Sequence, residues 1–321
     1  MPSDFPLPGF VEPAGHGIYT IDTGFHRPRF DAAYLMVHDG RAAFIDTGPN
    51  HAVPRLLFAL QAIGLEPEQV DYVIPTHVHL DHAGGAGLLM SKLPCARLVV
   101  HPRGARHMIE PAALYQGTLG VYGQEEMDRS YGSLVAVQAE RVLSSSDGMT
   151  LELADRPLSF ADTPGHARHH HCVWDEASRG WFTGDTFGLS YREFDTACGA
   201  WIMPTSTPVQ FDPDALKASI QRLMERRPEA IYLTHFGKVE DVPRLARLLL
   251  EQVDAMVELG ESLRDVPGRH ERLTQSLRES YRERLAEHGV ALNAHTDELL
   301  ALDVELNAQG LEIWLDRKSR R

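Results

Sequence analysis

Cysteine is scarce, with three residues in 321, Cys95, Cys172 and Cys198, and no closely spaced pair among them. Such a set excludes a disulfide framework and a thiolate zinc site, and free, buried thiols are expected. No apolar run approaches the ~20 residues that a membrane-spanning helix needs, so no membrane partner is expected. The first residues, Met1-Pro2-Ser3-Asp4-Phe5-Pro6, lack the basic start and apolar run of a signal peptide, which points to a cytoplasmic location. Positive charge is outnumbered: 31 Lys and Arg face 45 Asp and Glu, for a formal net charge of -14. That balance repels polyanions, so a small-molecule substrate is expected and nucleic acid is not.

What is present is a mixed pattern. Gly17–Ile21, Ala33–Val37 and Ala42–Ile45 are short apolar runs, and His38-Asp39-Gly40-Arg41 reads as the turn of a hairpin between the last two. A helix follows with Val53, Leu56, Leu57, Leu60 and Ile63 on one face. Further strands are expected at Tyr72–Ile74, Arg97–Val100, Leu151–Leu153, Leu158–Phe160, Cys172–Trp174, Trp181–Phe182 and Ile231–Leu233. Asp212-Pro213 has the capping carboxylate and first-turn proline of a helix start. From Pro243 the pattern turns helical, with Leu245, Leu248, Leu249, Val253 and Met256, then Leu273, Leu277, Tyr281 and Leu285 up to Gly289. The expected organisation is a mixed α/β domain over residues 1–240 and an all-helical extension over 241–321.

The chemistry concentrates in Thr76-His77-Val78-His79-Leu80-Asp81-His82-Ala83-Gly84-Gly85, directly after a strand. In a loop, residues two apart can both turn inward, so His77 and His79 can share one ion while Asp81 and His82 face a neighbouring one. Imidazoles and a carboxylate without thiolates suit a catalytic site for zinc, iron or manganese. Three other segments place a His or Asp beside a glycine just beyond an apolar run. They are Thr163-Pro164-Gly165-His166, Phe182-Thr183-Gly184-Asp185 and Leu233-Thr234-His235-Phe236-Gly237. Strand ends at one edge of a sheet are where such ligands converge.

Thr-His-x-His-x-Asp-His, then Thr-Pro-Gly-His, Thr-Gly-Asp and Thr-His-Phe-Gly, resembles the metallo-β-lactamase superfamily from about Ile18 to Gly237. The resemblance implies an αββα four-layer sandwich, here with a C-terminal helical extension. It implies two divalent ions, zinc foremost, with iron or manganese as alternatives. His77, His79 and His166 would hold one, Asp81, His82 and His235 the other, and Asp185 would bridge them. The run Val121–Gly132, the run His166–His170 and Tyr232–Gly237 are similar to a bacterial and archaeal branch near the glyoxalase II-like hydrolases. Asp46, in Phe44-Ile45-Asp46-Thr47-Gly48, resembles the family aspartate that stands behind the metal loop.

The implied activity is hydrolysis of a small ester-like bond (thioester, lactone, ester or phosphodiester) by a hydroxide bridging the two metals. Asp81 is the candidate for a second duty, passing a proton to the leaving group. His79 fits the hydrolytic branches, since diiron oxygen-reducing relatives typically carry Glu there. The alternative is a mononuclear iron sulfur dioxygenase of the same superfamily, using His77, His166 and Asp185. A true β-lactamase and glyoxalase II itself are disfavoured, the latter because no basic and tyrosine set for glutathione is evident. Tyr115, Tyr122 and Tyr131, within a Pro111–Gly132 loop or lid, and His170 are candidate pocket residues. The helical extension serves as a cover for the pocket or as a homodimer interface.

Overall fold

The computed structural model describes residues 7–206 and 209–320, apart from the side chains at 121 and 122. The opening hexapeptide and the Tyr122 side chain therefore lie outside the described residues. Two compact units interleave along the chain. One comprises the chain up to Asp162, His169–Gly184 and Pro228–Lys238; the other comprises Thr163–Arg168, Asp185–Arg227 and the chain from Val239.

The first unit is built on two sheets. The first runs in chain order through β1 (Val11–Gly15), β2 (Ile18–Asp22), β3 (Ala32–His38), β4 (Arg41–Ile45), β5 (Val70–Ile74), β6 (Arg97–Val100) and β7 (Val142–Ser144). Its first four strands are antiparallel and β4 to β7 are parallel. The β3–β4 hairpin closes where expected: His38 pairs with Arg41, and Asp39 and Gly40 take φ of 49° and 72°. Two left-handed residues are what a turn matching the strand twist requires. The parallel pairs need crossovers, and α1 (Val53–Ala62) supplies the one from β4 to β5. The second sheet reads β13 (Gly237–Val239), β12 (Ala230–Leu233), β11 (Gly180–Gly184), β10 (His171–Asp175), β9 (Arg156–Asp162), β8 (Thr150–Leu153) across its width.

Between the sheets lies a core of Ile18, Tyr34, Met36 and Ile45 against Phe160, Val173, Phe182 and Tyr232. The Tyr34 ring meets Phe182 edge-on at 5.1 Å, and Phe182 stacks on Tyr232 at 4.5 Å. On the other face of the first sheet, Leu35, Phe44, Val73 and Leu98 are covered by Leu56, Leu60, Leu89 and Met108. Those four come from α1, α3 (Ala86–Lys92) and α4 (Pro102–Ile109). A short α2 (Leu80–Ala83) precedes α3, and α5 (Ala112–Glu126) follows α4.

The second unit contributes α6 (Pro213–Met224), α7 (Val242–Ser262), α8 (Arg269–Glu287) and α9 (Ala294–Ser319). The Asp212 side chain accepts from the Ala215 amide at 3.2 Å, capping α6 as its sequence predicts. The Leu273, Leu277, Tyr281, Leu285 stripe of α8 is buried. Tyr281 accepts a hydrogen bond from Asn307 of α9 at 2.9 Å.

Two expectations are corrected. Pro111–Gly132 is helical where a loop was expected: α5, kinked within by Gly123 at φ 78°, runs into a π turn at Met127–Tyr131. Ala, Leu, Gln and Glu in this stretch favour helix more strongly than its interspersed glycines oppose it. Only Cys172 of the three thiols is buried; Cys95 and Cys198 are exposed, because they fall in connections outside the sheets and helices. Strands β1, β7 and β13 (VEPAG, VLS and GKV) were not expected, as none of them contains a run of three apolar residues. Among the described residues, no helix is long and apolar enough to cross a membrane.

Arg156 and Asp175, on paired strands β9 and β10, form a buried two-pronged ion pair, Nε–Oδ1 2.7 Å and Nη2–Oδ2 2.5 Å. Burial alone would raise the Asp175 carboxyl; hydrogen bonds from Arg156 and Ser178 outweigh it and hold the group below the usual carboxylate range. Arg156→Met, which strands that carboxylate, is expected to cost about 3–5 kcal/mol in chemical denaturation. A loss under 1 kcal/mol would show that water reaches the pair.

Candidate metal centre

β4, β5 and β12 all end at one edge of the first unit's sheets, and the candidate ligands follow those ends. Asp46, directly after β4, sits in the left-handed region at φ 55° and is fully buried. Its carboxylate accepts from the Thr76 amide at 2.6 Å, from the Thr76 hydroxyl at 3.0 Å and from the Thr234 hydroxyl at 2.7 Å. It also lies 2.9 Å from His82 Nδ1. Thr76 and Thr234 are the residues immediately before His77 and His235, so one carboxylate sets the start of both ligand segments. The Thr47 hydroxyl donates to the His82 carbonyl at 2.9 Å and the Gly85 amide donates to the Gly48 carbonyl at 2.8 Å. Gly85 is required here: a Cβ would stand 2.9 Å from the Pro49 carbonyl oxygen.

Within this frame Asp81, His82 and His235 each offer a donor atom, all within 4.8 Å of one another. Asp81 Oδ2 lies 3.5 Å from His82 Nε2 and 3.4 Å from His235 Nε2. The outer nitrogens are engaged elsewhere, His82 Nδ1 on Asp46 and His235 Nδ1 on the Phe30 carbonyl at 2.9 Å. That arrangement leaves Nε2 of both rings as the ligand-ready atom. His77 Nε2 and His79 Nδ1 face each other at 2.7 Å. His77, His82 and His235 are buried, whereas His79 and Asp81 are half-buried.

The second unit holds the other two candidates together: His166 Nε2 lies 3.2 Å from Asp185 Oδ2, and His166 Nδ1 lies 3.3 Å from the Thr205 carbonyl. A donor set of imidazoles and carboxylates, half-buried to buried and without thiolate, fits divalent ions such as zinc, iron or manganese.

His170 is buried and stacks on His77, ring centroids 4.8 Å apart. Tyr131 is buried against Phe25 at 5.3 Å, and Tyr115 is half-buried on α5. Sequence reasoning missed Thr76 and Thr234, although the repeated Thr-His pair was a visible signal. It also missed His169, whose ring meets His79 edge-on at 5.3 Å, and Asp31. Asp31 is fully buried and takes a hydrogen bond from Thr23 at 2.8 Å; burial pushes its carboxyl up to about 8, against the pull of His235 and His82.

Behind the centre, His171 is buried with Nδ1 2.7 Å from the Ser145 hydroxyl. Burial, reinforced by the nearby His101, lowers its pKa from 6.5 to about 3. The folded state therefore binds this proton more weakly than the unfolded chain does. Its stabilising contribution is complete above pH 6.5 and falls as pH drops toward 3, by about 1.4 kcal/mol per pH unit. Denaturation of the wild type and His171→Gln at several pH values is expected to show a flatter acid limb in the variant; parallel limbs would refute it. Asp46→Ala is expected to weaken metal binding about 10–100-fold in titrations of the metal-depleted protein.

The family model described as the metallo-beta-lactamase superfamily matches residues 26–235. A solved structure of an archaeal metallo-beta-lactamase superfamily protein from Sulfolobus tokodaii superposes with a TM-score of 0.65 at 22% identity, covering 92% of this chain and 98% of that one. The human acyl-coenzyme A thioesterase MBLAC2 is 27% identical over 191 residues, 53% of this chain and 63% of the thioesterase. A hydroxyacylglutathione hydrolase of Klebsiella pneumoniae is 27% identical over 176 residues, 54% of this chain and 51% of that enzyme. The αββα sandwich with its C-terminal helices is thus a shared fold. Because the family match runs from the β2–β3 loop to His235 and takes in every segment that carries a candidate ligand, the chain belongs to the metallo-β-lactamase superfamily.

Proposed function

We propose that this protein is a metal-dependent hydrolase that uses two divalent ions, zinc foremost, to cleave a small ester-like bond. One observation carries the reading: Asp81, His82 and His235 bring their donor atoms to one place, while His77 Nε2 and His79 Nδ1 present a second pair. Asp185 follows Gly184 directly in the chain, and His166 stands three residues before His169, so each joins a stretch that already serves the first unit. His77, His79 and His166 would hold one ion, Asp81, His82 and His235 the other, with Asp185 shared. Likeness to a thioesterase and to a hydroxyacylglutathione hydrolase supports a carbonyl ester or thioester as the bond.

Held by this set, divalent ions would supply Lewis acidity, lowering the pKa of water and polarising the scissile carbonyl. The chain's own residues do the rest. Asp46 and the Phe30 carbonyl fix the tautomer and direction of His82 and His235. Asp81 would ligate through one carboxylate oxygen, and its other oxygen would orient the attacking water, take its proton and pass it to the leaving group. His79 in place of a carboxylate keeps the site less anionic, in line with hydrolysis over oxygen reduction.

Protein purified without added metal is expected to carry close to two zinc or manganese ions per chain by plasma mass spectrometry, and to hydrolyse thioesters, lactones or phosphodiesters. About one iron per chain, with oxygen consumed on a persulfide, would replace this reading with the iron dioxygenase. Asp81→Asn is expected to lower kcat at least ~100-fold. Metal analysis of the same variant tells loss of proton transfer from loss of the ion.

A further inference from the structure

Where α4, α5 and the π turn come together, the first unit opens a cavity of about 550 Å³. Its size is that of a small-molecule site. Two lines of neighbouring rings tie its walls to the candidate metal ligands. Gly132 lines the cavity, and Tyr131 beside it packs on Phe25, Phe25 on Phe30 at 5.8 Å, and Phe30 on His235 at 5.3 Å. On the other side Glu110 lines the cavity, and His107, one turn back on α4, approaches His169 at 6.5 Å, which in turn meets His79. Ring packing thus links the cavity's walls to His79 and His235 through intervening side chains.

The lining has a definite chemistry. Pro111, Tyr115 and Leu134 make it apolar, Glu110 and Asp128 bring two carboxylates, and among the described residues none of the lining is cationic. Asp128 accepts from the neutral Gln124 at 2.7 Å, so its charge meets no cation there. Glu110 is shared with Arg106 at 3.3 Å, an exposed pair in which water screens most of the attraction. Arg129, next to Asp128 in the chain, pairs with Glu126 instead. An anionic group entering here meets repulsion, and a protonated amine on an apolar body meets both surfaces it needs.

We propose that this cavity binds the distal part of the substrate, an apolar group carrying a protonated amine, and so selects against polyanionic thioesters. The substrate role rests on the hydrolase reading above; the binding site does not. Calorimetry on the protein as purified, with 2-phenylethylamine and its neutral counterpart 2-phenylethanol, tests the site. The amine is expected to bind at least ten-fold tighter, and the double variant Glu110→Gln, Asp128→Asn, checked for folding by circular dichroism, to lose that preference. Equal binding of the two probes, no binding of either, or a preference that survives in the double variant would overturn it.

The substrate role is tested with two N-acetylcysteamine thioesters, one of phenylacetate and one of 4-(aminomethyl)phenylacetate. A kcat/KM at least ten-fold higher for the amine, abolished in the double variant, is expected. Hydrolysis without amine preference, although the free amine binds, would overturn the substrate role. Hydrolysis of no thioester, lactone or phosphodiester while the free amine still binds would sink the hydrolase reading and leave the site standing.

Discussion

One buried carboxylate organises the edge of the first unit that carries the candidate ligands. Asp46 has lost its water, so its charge is tolerable only if donors surround it. Those donors come from the stretches after β5 and after β12, and from His82. The need to satisfy one group therefore draws three separate chain segments to a common point. The left-handed backbone at Asp46 is one that aspartate tolerates better than most residues, and it turns the carboxylate inward as the strand ends.

The same logic, repeated, fixes the imidazoles. His82, His235 and His166 each rest Nδ1 against an oxygen, on Asp46, Phe30 and Thr205 respectively. His79 differs, presenting Nδ1 toward His77 Nε2. A ring held at one nitrogen has its direction set before any ligand arrives, which is the preorganisation that a metal site demands. Asp46 and Phe30 flank β4 and β3, strands of the sheet that packs on the Tyr34–Phe182–Tyr232 core, so in the first unit rigidity passes from core to ligand.

Much of this was legible beforehand. The dense His and Asp run after an apolar strand declared the chemistry, and the β3–β4 turn and the α6 cap followed from Asp39-Gly40 and Asp212-Pro213. The metallo-β-lactamase resemblance extended the reading to the sandwich. What escaped were features set by tertiary context. β1, β7 and β13 owe their existence to neighbouring strands. α5 is interrupted by glycines that mimic loop composition. Asp31 looked like an ordinary loop aspartate, and only the folded chain shows it fully buried near His235 and His82.

The interleaving of the two units bears on how such a chain can change over generations. His166 and Asp185 lie in short stretches, Thr163–Arg168 and Asp185–Arg227, that belong to the same unit as the C-terminal helices. The other five candidate ligands belong to the sheet-bearing unit. No single cut parts the units cleanly, so neither can be inherited, swapped or lost as a cassette. Recombination near residue 240 would separate the His166–Asp185 segments from α7, α8 and α9, the long helices of their own unit. Drift in the helical tail is therefore answerable to the chemistry, and the lineage evolves as one piece.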